Sequence, residues 1–319
     1  MRKLELMPFK ENWMTNYNEE SKRVQEIFGE LLLNIHHIGS TSIPGMIAKP
    51  VIDILVEIQN INDVDSFNND MKMLGYVPKG ENGIRGRRYF FKEKGNKRTH
   101  HVHIFQSGSH EINKHLAFRD YLIIHQDEAE RYIELKRNLY QRMGVNVKQY
   151  QEMKGPLIQE LTDNALNWAN KNKKTSVMGF IIRQKEDGSN ELLTLSISSI
   201  PYASLRVPGG GVEGNEDLIG ALNREILEEA GLSNLTLIRK IGSITYYKPY
   251  IKRMVERHDF LLLAPADIED SWGHRVTGGD KDSGLSFNYR WIQEHEFPKL
   301  DGELRSFISP EYISELFNR

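Results

Sequence analysis

Glu225, Glu228 and Glu229 fall at i, i+3 and i+4 of a stretch, Glu216 to Ala230, that reads as one amphipathic helix. At 3.6 residues per turn the three carboxylates share a face. Like charges at these spacings cost about 0.2–0.5 kcal/mol per pair, so a helix that stacks them either wants a cation or turns an acidic face to solvent. Ile219, Leu222, Ile226 and Ala230 form an apolar stripe about 100° away, able to dock on a core while the acidic side looks into a cleft. Asn215 is the expected N-cap, Glu216 and Asp217 suit the positive end of the helix dipole, and Gly231 suits the position past the C-terminus. Upstream, Val207-Pro208-Gly209-Gly210-Gly211 lets the backbone turn tightly and approach a ligand.

The full pattern is Gly210, five residues, Glu216, seven residues, then Arg224-Glu225-Ile226-Leu227-Glu228-Glu229-Ala230-Gly231-Leu232. It resembles the signature box of the Nudix hydrolases at every defined position, with Ile226 and Leu232 in the two aliphatic slots. The resemblance implies a strand–loop–helix that holds Mg²⁺ or Mn²⁺ against a diphosphate, within an α/β/α sandwich. It further implies Glu225, Glu228 and Glu229 as metal ligands, one of them acting as base, and Arg224 as the residue that orients an acidic neighbour. Gly210 and Gly211 are the expected points of substrate approach. Hard cations bind carboxylate oxygens, bridge phosphates and acidify bound water, so the chemistry is self-consistent.

At 319 residues the chain is long for one core, and two domains are expected. A 39% hydrophobic content, 27% charged content and net charge of −2 give no argument for nucleic acid or an anionic membrane as partner. The absence of cysteine excludes disulfides and thiolate zinc sites. Met1-Arg2-Lys3-Leu4-Glu5-Leu6 carries no apolar run of signal-peptide length, and no stretch approaches a transmembrane span, so the expected location is cytoplasmic. The polar, basic segment Asn170 to Ser176 divides the chain into residues 1–170, a linker at 171–176, and residues 177–319.

In the first part, 13–33 reads as an amphipathic helix, His36 to Ser40 as a loop, and Pro50 to Ile58 as a buried strand. A helix is expected at 65–74, a hairpin from 88–92 and 100–106 about Lys94–Lys97, and helices at 113–125, 127–143 and 155–170. The second part reads as strands at 177–183, 192–198, 235–246 and 259–264 around the acidic helix, with a last helix at 309–317. The expected class is therefore α/β, mixed sheets with helices.

Ser40, Thr41 and Ser42 follow Gly39 in a turn whose hydroxyls and N–H groups suit a phosphate, and Asp53 lies on the next strand where it suits Mg²⁺. His101 and His103 share a strand face and offer ligand or acid/base nitrogens. The alternatives are a common Ser-Thr-Ser turn, a capping aspartate and half-buried histidines. Arg85 to Arg98 form a basic run around Tyr89-Phe90-Phe91, either a phosphate clamp or a solvated hairpin with aromatics in the core.

Most of 1–165 resembles the GrpB family, of the nucleotidyltransferase-like superfamily, through Glu5-Leu6, Trp13, His36 to Asp53, Arg98 to His103, Phe118 to Leu122 and His125. The resemblance implies a nucleotidyltransferase-like mixed sheet with helices, in which Ser40, Asp53, His101 and His103 are the candidate nucleotide- or phosphate-binding residues by their own chemistry. Working nucleotidyltransferases carry two acidic residues two apart on this strand. Here Leu55 takes the second place, and Glu57 lies about 13 Å along the strand from Asp53.

The expected activity is Mg²⁺-dependent cleavage of a nucleoside diphosphate linked to another moiety. Two further readings stay open: a bifunctional protein whose first domain transfers nucleotidyl groups, and a silent ligand-binding first domain that regulates the hydrolase. Ile244 to Tyr250, Trp272 and Trp291 are aromatic positions that either stack a base or complete the core. A homodimer would suit the fold.

Overall fold

The computed structural model describes residues 5–143, 147–200, 203–265, 267–277 and 283–317. Met1 to Leu4 and residues 278–282 lie outside the described residues. The chain divides into two compact units, Met1–Asn172 with Tyr246–Met254, and Lys173–Thr245 with Val255–Arg319.

The first unit contains α1 (Asn12–Phe28), β1 (Leu32–Ile38), β2 (Ile52–Ile58), α2 (Asn68–Met73), β3 (Tyr76–Pro78), β4 (Arg87–Lys94) and β5 (Lys97–Gln106), then α3 (His110–Ile124), α4 (Gln126–Met143) and α5 (Val147–Asn170). The sheet order is β1-β2-β5-β4-β3, with β2 and β5 parallel and the other pairs antiparallel. Strand β2 reads as an apolar run because both its faces are covered. Ile52, Ile54, Val56 and Ile58 pack with Trp13, Val24 and Phe28. Leu55 turns the other way, into a cluster with Phe105, Leu116, Tyr121 and Leu161. Alternation along the strand sets Asp53 and Glu57 on that same Leu55 face.

Three local expectations change. The first helix stops at Phe28, because Gly29 adopts φ 50° and its N–H closes on the Gln25 carbonyl. The chain then enters β1, which carries His36, His37 and Ile38 in a strand rather than a loop. The segment expected as one helix at 65–74 is a 3₁₀ turn, Ile61–Phe67, leading into the short α2. The β4–β5 hairpin turns at Lys94–Lys97, as its Gly95-Asn96 pair demands.

The second unit contains β6 (Lys174–Gln184), β7 (Asn190–Ile197), β8 (Gly209–Gly211), α6 (Leu218–Ala230), β9 (Thr236–Lys248), β10 (Arg253–Leu263), β11 (Ser271–Arg275) and β12 (Ser286–Ile292). Strand β6 begins within the polar segment read as a linker. The sheet order is β11-β12-β7-β6-β10-β9, with β8 laid against β6. One face takes α6, whose Ala221, Leu222, Ile226 and Ala230 pack on Val177, Ile181, Leu195 and Phe260. Gly179 lets that helix come close, since a Cβ there would stand 2.9 Å from Ile226 Cδ1. Ile219, expected in the stripe, is exposed instead, and Ala221 takes the buried position. The other face is covered by Phe297, Leu300, Leu304, Ile308, Ile313 and Leu316. Phe297, Leu304 and Leu316 sit on 3₁₀ turns and Leu300, Ile308 and Ile313 flank them, so the helix expected at 309–317 is reduced to the turn Ser314–Leu316.

Candidate functional site

Strand β8 and helix α6 build the acidic site. Gly209 has φ 147°, and a Cβ would fall on the Val177 carbonyl oxygen, so only glycine lets β8 lie this close to β6. At Gly210 a Cβ would stand 2.5 Å from Cδ and 2.6 Å from Oε1 of Glu225, so the missing side chain is the space that the carboxylate fills. The helix starts two residues later than expected: Asp217, not Asn215, is the N-cap, its Oδ1 accepting from Gly220 N at 2.7 Å. Gly231 ends it in the left-handed region at φ 69°.

Arg224 ties the loop to the helix. Its Nη2 and Nε donate to Glu216 at 2.7 and 3.2 Å, its Nη1 to Glu225 at 3.0 Å and Glu228 at 3.3 Å, and its Nη2 also to the Gly211 carbonyl at 2.8 Å. These carboxylates, Glu216 first, raise the guanidinium further above its ordinary value, and Arg224 in turn lowers Glu216. Glu229 Oε2 accepts from Gly209 N at 2.9 Å. Glu225 and Glu229 are buried and Glu228 is half-buried.

The far end of α6 is held by residues that sequence reasoning left open. Trp272 Nε1 donates to the Ala230 carbonyl at 3.1 Å and its ring stacks on Tyr289 at 4.9 Å. Thr277 N donates to the Glu228 carbonyl at 3.0 Å, and His274 Nε2 stands 3.1 Å from the same oxygen. Trp272 therefore stacks on protein, as does Trp291, whose Nε1 donates to the Glu269 carbonyl beneath Arg183. Tyr289 was not foreseen. Its buried hydroxyl is pushed up by burial and then by the charge of Glu229. Tyr247 is buried in the first unit, donating to Asp120 at 3.1 Å, so it has no face for a base.

A second constellation lies in the first unit. The parallel β2–β5 register sets Asp53 opposite His101 and Leu55 opposite His103. His101 Nδ1 is 2.9 Å and His103 Nε2 is 3.6 Å from Asp53 Oδ1. Burial alone would raise Asp53, but hydrogen bonds and charge from His101 and His103 hold it well below the usual carboxylate range. Among the described residues, this is the trio of carboxylate and imidazole groups that presents one ligand atom each within 4.8 Å. Glu225, Glu228 and Glu229 are not drawn together in that way, because Glu229 turns to Gly209 while Arg224 spans the other two. Gly39, at φ 70°, presses on the same carboxylate: a Cβ would stand 2.5 Å from Asp53 Oδ2.

Ser40 meets a cation that the sequence hid. Lys136 of α4 is 2% exposed, and its Nζ donates to Ser40 Oγ at 2.6 Å and the Ile47 carbonyl at 2.9 Å. Burial, then Lys154, pushes it well below the usual lysine range. Lys49 falls to about 8 through burial and the nearby Lys154, and Lys154 is lowered by burial, Asp53 opposing both. The available signal was Lys136 itself, which sits on the buried stripe Ala129, Tyr132, Leu139 of α4. Much of the basic run, by contrast, is spent internally: Arg88 on Asp65, Lys92 on Glu20, Lys97 on Glu5, Arg98 over Phe91. Tyr89, Phe90 and Phe91 are core residues. Glu57 is paired with His36 at 3.2 Å.

Residues 173–309 match the NUDIX domain, and residues 3–164 match the family described as GrpB protein. The chain belongs to the GrpB family and carries a Nudix hydrolase domain after its GrpB region. It is 44% identical over 189 residues to the UPF0157 protein YqkA of Bacillus subtilis (strain 168), covering 59% of this chain and 55% of that protein's length. It is 33% identical over 160 residues to the glutamate-rich protein GrpB of Alkalihalophilus pseudofirmus, covering 49% of this chain and 92% of that protein. Among solved structures, GrpB from Enterococcus faecalis is similar at a TM-score of 0.49 and 38% identity, over 51% of this chain and 98% of that one. An Ap4A hydrolase of C. elegans is similar at 0.30 and 22% identity, over 43% and 96%. Among the described residues no helix is long and apolar enough to cross a membrane.

Proposed function

We propose that the second unit hydrolyses the diphosphate of a nucleoside diphosphate linked to another moiety, giving two phosphorylated products, with Mg²⁺ or Mn²⁺ as cofactor. The observation that carries this is the seating of Glu225 against Gly210 and of Glu229 on the Gly209 N–H, with Glu228 half-exposed beside them. Carboxylate oxygens are the donors that hard divalent cations prefer, so the residues present fit the metal. Glu225, Glu228 and Glu229 would hold such an ion, which would neutralise phosphate charge and lower the pKa of a bound water. Arg224 keeps the glycine loop and the carboxylates in one frame, and Glu228, the most accessible of the three, is the group placed to take a proton from the attacking water. The test is incubation with a panel of nucleoside diphosphate conjugates and Mg²⁺, with mass spectrometry of the products. Removing one ligand, as Glu228→Gln or Glu229→Gln, forfeits about 3 kcal/mol of charge stabilisation and lowers kcat about 100-fold. Unchanged turnover in both would reject the site.

For the first unit, the reading we favour is a phosphoanion-binding domain, with Ser40, Lys49, Lys136 and Lys154 as the anion-facing groups. Three converging lysines balanced by Asp53 leave local positive charge that a phosphate would offset. Full burial of Leu55 and the pairing of Glu57 with His36 weigh against a two-carboxylate transferase site. Pyrophosphate release from a nucleoside triphosphate, lost in Asp53→Ala but kept in Glu229→Gln, would reverse that preference.

A further inference from the structure

The geometry points to Asp53, His101 and His103 as a mononuclear site for a divalent transition ion, separate from the carboxylate site of α6. It does not depend on the hydrolase reading. Asp53 Oδ1 lies 2.9 Å from His101 Nδ1 and 3.6 Å from His103 Nε2, and all three ligand atoms fall within 4.8 Å of one another. Ligands about 2.1 Å from one ion stand about 3.0–3.4 Å apart at right-angle to tetrahedral geometry, so the trio needs to shift by only about an ångström to surround one.

The second observation is the state of the imidazoles. His101 Nε2 and His103 Nε2 are buried without a hydrogen-bond partner, and an orphaned buried polar atom is destabilising. The His103 nitrogen gains a partner when an ion enters. His103 is also fenced by rings, with Tyr89 at 5.3 Å and His115 at 5.8 Å, so its plane is set before any ion arrives. Arg87 opposes loading: its Nη1 is 3.3 Å from His103 Nδ1. Ligation through Nε2 places the ring proton on Nδ1, so that long contact has to open, while the bonds from Arg87 to the Glu81 and Asn82 carbonyls remain. Lys49 and Lys154 add repulsion toward a dication, and inorganic phosphate beside them strengthens ion binding.

Two imidazoles and one carboxylate, with other positions open, select ions such as Zn²⁺, Co²⁺ or Mn²⁺ over Mg²⁺, which prefers all-oxygen surroundings. This departs from a paired acidic site, against which the buried Leu55 weighs.

The experiment is a Co²⁺ titration of the tag-free full chain carrying Glu228→Gln and Glu229→Gln, followed by visible absorption and calorimetry, with and without inorganic phosphate. The expected result is one bound equivalent with d–d absorption, resistant to a large excess of Mg²⁺. Asp53→Asn and, separately, His103→Gln weaken it at least about 100-fold, with the fold checked by circular dichroism. Should either variant unfold, Mn²⁺ added to the histidine-¹⁵N-labelled chain broadens the ring signals of His101 and His103 before those of His258, His274 and His295. No stoichiometric Co²⁺ under either condition, ready displacement by Mg²⁺, an equivalent indifferent to both substitutions, or uniform broadening would overturn the assignment.

Discussion

Replacing Gly210 by alanine tests whether the glycine loop is there to seat Glu225. The new methyl would stand 2.5–2.6 Å from the Glu225 carboxyl, against an ordinary contact of 3.4 Å or more. Strand β8 cannot retreat, because Gly209 and Gly210 pair with Met178 and Val177 on β6 so closely that a Cβ at Gly209 would fall on the Val177 carbonyl. The carboxylate must therefore move by about 0.9 Å, carrying with it the 3.0 Å bond from Arg224. A displacement of about 1 Å at a reacting centre costs about 100-fold in rate, and the overpacking costs about 1–3 kcal/mol of stability. Gly210 is not in the left-handed region, so the effect cannot be charged to backbone strain. The assay is kcat and KM, with Mg²⁺, on whichever conjugate of the panel turns over, beside a thermal melt. The drop falls on kcat. The control is Gly155→Ala on α5, where a Cβ meets nothing within 4 Å. That variant keeps its rate and gains about 0.5–1 kcal/mol in the first unit. A folded Gly210→Ala protein with kcat/KM within about twofold of the parent would refute the reasoning.

Other consequences follow from the same contacts. Lys136→Met keeps the buried stem and removes the ammonium that Ser40 and Ile47 solvate, so the first unit stays folded while its affinity for pyrophosphate, read by calorimetry, falls at least about 10-fold. The same affinity declines as pH rises through about 8, where Lys49 loses its proton; an anion favours the charged amine, so binding is strongest below that value, and a flat profile from 7 to 9 would contradict the assignment. Asp217→Ala removes the N-cap of α6 and lowers the stability of the second unit by about 1 kcal/mol in denaturant melts. Trp272→Phe keeps most of the stacking on Tyr289 but frees the Ala230 carbonyl, costing about 1 kcal/mol.

Local signals were legible where one residue decided the backbone. Gly231 had to end α6, Gly95-Asn96 had to turn the β4–β5 hairpin, and the Ile52–Ile58 run had to be a covered strand. Where tertiary packing decided, the sequence misled. His36 and His37 looked like a loop, yet β1 follows β2 through its Ile38–Asp53 register. The spacing of Ile313 and Leu316 mimics a helix, but the two reach one sheet face from the short 3₁₀ turn Ser314–Leu316 and the residue before it. Asp53, His101 and His103 were each visible, since alternation on β2 and β5 puts them on one side. Their convergence with Lys49, Lys136 and Lys154 was not, because it joins β2, β5, α4 and α5 over more than a hundred residues of sequence. The role of Trp272 was hidden for the same reason: its indole finds a carbonyl 42 residues away.

The most direct measurement of the central claim is hydrolysis of the nucleoside diphosphate panel in ¹⁸O-labelled water, comparing the parent chain with Glu228→Gln and Glu229→Gln. The account predicts Mg²⁺- or Mn²⁺-dependent cleavage between the two phosphorus atoms, one labelled phosphorylated product, and at least about a 100-fold loss in each variant. Cleavage elsewhere in the conjugate, or turnover that survives both substitutions, would contradict it.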